Sequence, residues 1–190
     1  MTRRPLTDGE IKLAKTLFGD SIDYALVRVL DQPTSSLQGK NTAMVAGNDI
    51  YMHNCYREDY SKASSFGRCL FIHEMTHIWQ GQNKVLNQVL AVLELNLKHR
   101  FNYSAAYFFA LDGNKDLTDY GLEQQAAIVE EYYLIKHAGL PAYTRHCTNK
   151  CSNEVRLQLY EKVLKKFLEN PAYARNDKFP PLFKNKGPKP

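Results

Sequence analysis

Two histidines four residues apart with a glutamate between them, His73-Glu74-Met75-Thr76-His77, are the residues of this chain best suited to chemistry. In a helix, positions i and i+4 lie on one face, so both imidazoles can aim a ring nitrogen at a single zinc ion. Glu74 sits one residue round the helix, close enough to act on a water held by that ion without ligating it. The neighbours Leu70, Phe71, Ile72, Met75, Ile78 and Trp79 make the segment apolar nearly all round, which predicts burial. Three ionisable groups on a buried helix need partners strong enough to offset their desolvation.

A catalytic zinc site takes three protein ligands and keeps one position open. The stretch Tyr120-Gly121-Leu122-Glu123-Gln124-Gln125-Ala126-Ala127 sets Glu123 at the start of a helix rich in small residues, and Glu123 is the first choice for the third ligand. Glu130 is its rival on the same stripe; two turns separate them by roughly 10 Å, so one ion cannot take both. Glu131, Asp119 and Asp116 are weaker candidates. The chemistry implied is metal-assisted hydrolysis, with Glu74 as general base to the attacking water and then proton donor to the leaving amine. Tyr120, Tyr132, Tyr133 and His137 are all open as donors to a developing oxyanion. The remaining histidines, His53, His99 and His146, read as surface or structural groups, as does His137 in its plain reading. Cys147 and Cys151 with His146 make only a zinc half-site, and free thiols are the plain reading of all four cysteines.

These residues need elements to place them. Thr7 and Glu10 form a capping box for a helix over 6–19, stopped by Gly19. Residues 22–30 favour a strand, and two further strands flank Gly47-Asn48-Asp49 as a hairpin, giving an antiparallel sheet of about three strands ahead of the His-Glu helix. That helix is expected from about Phe66, capped by Ser64 or Ser65, to about Gly81. Residues 83–100 carry apolar residues at helical spacing, 103–111 read as extended, 119–137 as a helix with Ala126 and Ala127 allowing close approach of another, and 152–168 as a last amphipathic helix. After Asn170 the chain turns rich in Pro and Lys, and regular structure is expected to stop. One domain over 1–172 with a basic tail over 173–190 is the reading of 190 residues at ordinary globular composition.

The formal charge of +5 does not point to nucleic acid, because most of the excess sits in the tail, where Arg175, Lys178, Lys184, Lys186 and Lys189 face Asp177 alone. No apolar run is long enough to span a bilayer, so no membrane insertion is expected. The charged, polar start lacks signal-peptide character, so synthesis in the cytoplasm is expected.

Three blocks in order carry a family resemblance: Arg4-Pro5-Leu6-Thr7-Asp8-Gly9-Glu10-Ile11 with Phe18-Gly19-Asp20, then Phe71 to Gln80 around the two histidines, then Asp119-Tyr120-Gly121-Leu122-Glu123-Gln124-Gln125-Ala126-Ala127-Ile128-Val129. Over residues 4–138 the chain resembles the vgr-related zincin metallopeptidase domains, found as C-terminal extensions of VgrG spike proteins and as free-standing or Rhs-linked chains of type VI secretion. The resemblance implies an α+β zincin-like fold, one zinc ion held by His73, His77 and Glu123 (a gluzincin-type set), and Glu74 as catalytic acid/base. It implies a monomeric antibacterial effector toxin that is secreted into the target-cell periplasm, hydrolyses a peptide or protein substrate, and has a VgrG or Rhs spike component and a cognate immunity protein as partners. Two other uses stay open: hydrolysis of peptidoglycan stem peptides, and a non-catalytic zincin-shaped adaptor of the spike.

Overall fold

The computed structural model describes residues 2–36, 38–85, 106–139 and 144–176. The amphipathic stretch expected over 83–100 falls almost wholly outside them, as do most of the tail and part of 103–111.

The chain starts with a short strand, β1 (Arg3–Pro5), and helix α1 (Asp8–Phe18). Both halves of the capping box form: Thr7 Oγ1 accepts from Glu10 N at 3.1 Å and Glu10 Oε2 accepts from Thr7 N at 2.9 Å. Gly19 ends α1 at φ 51°, backbone a side chain would strain. Of the strand expected over 22–30 only β2 (Arg28–Leu30) is extended, because Asp23 caps a 3-10 turn over Tyr24–Leu26. Strands β3 (Thr42–Ala46) and β4 (Asp49–His53) form the expected hairpin. Gly47 turns it at φ 65°, as a glycine in the first central position of a type II′ turn does.

The sheet corrects the expectation of an antiparallel arrangement. Its order is β1-β2-β4-β3, and it is mixed: β1 pairs antiparallel with β2, β2 parallel with β4, and β3 antiparallel with β4. β1 joins because Arg4 is anchored beyond the sheet, its guanidinium forking both oxygens of the buried Glu10 at 2.8 Å. Glu10 also accepts from Tyr60 N at 2.9 Å, tying β1, α1 and the turn before the next helix together. Ile50 and Met52 of β4 and Val29 of β2 are fully buried and supply the sheet's share of the core.

Helix α2 (Ser65–Gln82) starts at Ser64, whose Oγ accepts from Gly67 N, and runs through Gly81 to an Asn83 cap. Helix α3 (Leu122–Lys136) follows a 3-10 turn over Leu117–Asp119, and buries twelve of its residues. The last helix is broken in two, α4 (Asn153–Val163) and α5 (Lys165–Glu169). Trp79 of α2 meets Phe167 of α5 edge-on at 5.1 Å, and Phe167 meets Phe18 of α1 at 5.8 Å, so one aromatic cluster joins three helices. Regular structure continues past Asn170 into a 3-10 turn over Pro171–Ala174, held by Trp79 Nε1 donating to Pro171 O at 2.8 Å. No described helix is long and apolar enough to cross a membrane.

Candidate metal centre

α2 and α3 pack against each other through apolar and small side chains, and their facing sides carry the ionisable groups. Ala126 and Ala127 are fully buried and bring the backbones close. From α2 come His73, Glu74 and His77; from α3 comes Glu123. Nε2 of His73 and Nε2 of His77 each lie 3.4 Å from Oε2 of Glu123. One ligand atom from each of the three falls within 4.8 Å of the other two, and among the described residues this is the group of side chains that could hold a metal ion. The separations exceed the ~2.8 Å of a charge-assisted N–H···O bond. They match the edge of a tetrahedron, roughly 3.4 Å, set by zinc–ligand bonds of about 2.1 Å. Two of the three edges of the group thus have a length compatible with a bound metal ion, and the third is within 4.8 Å.

The outer nitrogens of the two imidazoles are also occupied. His73 Nδ1 is 2.7 Å from Glu130 Oε2, and His77 Nδ1 is 2.8 Å from Gln80 Oε1. When the rings are neutral, such partners favour the proton on Nδ1 and leave the Nε2 lone pair inward. Glu130, the rival for third ligand, thus stands on the opposite side of His73 from Glu123. The seven-residue spacing does put both on one face, and the imidazole lies between them.

Burial and charge act against each other here. Burial lowers the His73 pKa, but the carboxylates of Glu123 and Glu130 on either side of the ring outweigh it and hold His73 well above the ordinary histidine value. Burial likewise lowers His77, and Glu123 brings it above that value. Glu123 is pushed up by burial and pulled down much further by His77 and His73, so its carboxylate is ionised throughout the ordinary pH range. Glu74 is different: burial raises its pKa, with Glu123 and Glu130 adding to the rise against the two histidines. Its Oε2 is buried and has no hydrogen-bond partner. An unpaired buried carboxylate oxygen is costly, and beside a metal-binding face it is a place to hold a water or a proton.

Each of the oxyanion candidates has partners of its own. Tyr120 OH accepts from Asp112 N at 2.9 Å, Tyr133 OH accepts from Arg68 Nε at 3.1 Å, and the rings of Tyr132 and Tyr133 pack on His137. Asp116 bonds Thr118 and Tyr173. Glu131 accepts from the backbone of Arg145 and His146 and from Tyr160 OH. His146 does not join Cys147 and Cys151 in a metal-ligating group among the described residues, and all four cysteines are free. It is instead buried beside the centre: Tyr107 stacks on His73 at 5.7 Å and on His146 at 5.4 Å. No sequence motif places Tyr107, His146, Gln80 or Gln125 at this centre. The first two have no spacing signal, because a bridge pairing Phe109 with Cys147 brings them in from separate segments. Gln80 has one, since a buried amide three residues after a candidate ligand histidine needs partners.

No family model matches the chain. It is 43% identical over 136 residues, 70% of its length, to the type VI secretion system spike protein VgrG2b of Pseudomonas aeruginosa, and spans 13% of that relative. A solved structure, the effector domain of Pseudomonas aeruginosa VgrG2b, superposes with a TM-score of 0.63 at 41% identity, covering 72% of this chain and 76% of the domain.

Proposed function

The chain belongs to the family of the VgrG2b effector domain, and from that premise we propose that it is a zinc-dependent metallopeptidase serving as an antibacterial type VI secretion effector. The observation that carries the reading is that His73 Nε2 and His77 Nε2 each lie 3.4 Å from Glu123 Oε2, beside a buried Glu74 oxygen with no hydrogen-bond partner. Zinc in such a set supplies Lewis acidity, making water a competent nucleophile near neutral pH and drawing charge from a carbonyl oxygen. Glu74 takes the proton released as the water oxygen bonds the carbonyl carbon, and returns it to nitrogen as the C–N bond breaks. A raised pKa suits a group that must both accept and give up that proton.

Strand β3 pairs only with β4 among the described residues, so its outer edge can hold an extended peptide through main-chain bonds. Delivery on a VgrG spike, action in the target-cell periplasm and neutralisation by an immunity protein belong to the same proposal. A module keeping zinc for stability alone closes its site with four protein ligands; the described residues offer three.

The test sets zinc-loaded protein against a denatured protein and against purified sacculi, with and without a chelator. Chelator-sensitive cleavage of the protein supports the peptidase, cleavage of sacculi alone moves the substrate to stem peptides, and no cleavage of either opposes an enzyme.

A further inference from the structure

Gln80 sits at the join between the two helices that carry the metal-ligating groups, and its amide makes three contacts. Oε1 is 2.8 Å from His77 Nδ1, while Nε2 is 2.9 Å from Leu122 O and 3.0 Å from Gln125 Oε1. Gln125 in turn donates from Nε2 to Tyr120 O at 2.8 Å. Both glutamines are fully buried, so no solvent competes for these groups.

The direction of this chain is set by two atoms that cannot donate. Tyr120 O is a backbone carbonyl, so the Gln125 NH2 must face it and the Gln125 oxygen must face Gln80. Leu122 O is likewise an obligate acceptor, so the Gln80 NH2 must face α3 and the Gln80 oxygen must face His77. His77 can then bond Gln80 only by carrying its proton on Nδ1, which leaves the Nε2 lone pair turned toward Glu123. Leu122 is the first residue of α3 and immediately precedes Glu123, so the same amide also fixes the turn that presents that carboxylate.

We propose that Gln80 and Gln125 form an amide relay that positions the metal ligands, setting the tautomer of His77 on one helix and the place of Glu123 on the other through two backbone carbonyls. The relay rests on the metal-binding reading for its purpose, though not for its geometry. His73 is served differently, by the charged Glu130, so the two histidines are held by unlike partners.

Two readouts on Gln80→Leu, Gln80→Glu and Gln125→Leu test it. The first is the His77 tautomer in metal-free, 15N-histidine-labelled protein at a pH where imidazoles are neutral, read from long-range proton–nitrogen NMR correlations. The second is zinc affinity by competition with a chelator. Native protein is expected to hold His77 as the Nδ1–H tautomer, and Gln80→Leu to lose that preference and about 10–100-fold in zinc affinity. Gln80→Glu keeps an acceptor for His77 but no donor for Leu122 O. It is expected to restore the tautomer and only part of the affinity, the remainder being lost with the hold on Leu122 O, while thermal stability stays below native. A purely structural role would move stability and affinity together. Gln125→Leu keeps the Gln80–Leu122 bond and should retain the tautomer with a smaller loss of affinity, and it serves if Gln80→Leu does not fold. An unchanged tautomer and affinity in Gln80→Leu, or a Gln80→Glu protein no better than Gln80→Leu, overturns the relay. If native protein binds no zinc yet His77 shows the relay's tautomer and loses it in Gln80→Leu, the relay stands and the metal reading fails.

Discussion

Glu123 and Glu130 lie seven residues apart on α3 and face opposite nitrogens of one imidazole. That difference predicts different losses. On the proposed reading Glu123→Ala removes the third ligand and should abolish stoichiometric zinc in the purified protein. Glu130→Ala removes only the partner of His73 Nδ1 and should keep one zinc, bound about 10–100-fold more weakly in chelator competition. The metal-free cluster also has a pH signature. The folded pKa values of His73 and His77 are raised, so the stability they contribute is full below the ordinary histidine value and is lost as pH rises through the folded values. Metal must displace those protons, so zinc affinity should rise with pH across the neutral range, with proton release visible by calorimetry in buffers of different ionisation enthalpy. Affinity independent of pH would contradict this. At this scale the sequence was informative wherever spacing on one helix decides the outcome, as for His73, Glu74 and His77. Spacing left Glu123 and Glu130 unresolved, because which side of a ring a carboxylate meets depends on how two helices cross.

The contact between α2 and α3 makes the site possible, and Ala126 and Ala127 keep it close. Ala127→Leu inserts volume where none is free and is expected to cost about 1–3 kcal/mol in chemical denaturation. It should also weaken zinc binding, since it pries apart the two helices that share the donor atoms. Removing a cap is milder: Ser64→Ala loses the Oγ acceptor for Gly67 N and should cost about 1 kcal/mol without changing zinc stoichiometry. Helices were legible because caps and apolar period are local signals, as in the Thr7–Glu10 box. The sheet was less so. β1 is three residues of Arg-Arg-Pro with no alternation, recruited by the Arg4–Glu10 pair, and the parallel pairing of β2 with β4 is a choice of topology that no local pattern in 28–53 records.

At the scale of the whole molecule, the segment after α5 braces the far end of the His-Glu helix. Trp79 bonds Pro171 O, Tyr173 OH donates to Asp116 at 2.8 Å, Arg175 Nε donates to Asn83 Oδ1, and Asn176 N to Asn83 O at 3.0 Å. Pro- and Lys-rich composition hid this anchoring, since each bond depends on a partner distant in sequence. Ending the chain after Asn170 is expected to lower stability by about 2–4 kcal/mol, the worth of a few hydrogen bonds, measured by denaturant unfolding. The proposed activity depends on what Glu74 does beside His73, His77 and Glu123. Glu74→Gln preserves shape and removes the base, so the decisive measurement is peptide-bond cleavage by native and Glu74→Gln proteins, each verified to hold one zinc per chain. Cleavage is expected to fall by roughly 10²–10⁴-fold in Glu74→Gln at equal zinc occupancy. Native-like cleavage by Glu74→Gln would contradict it.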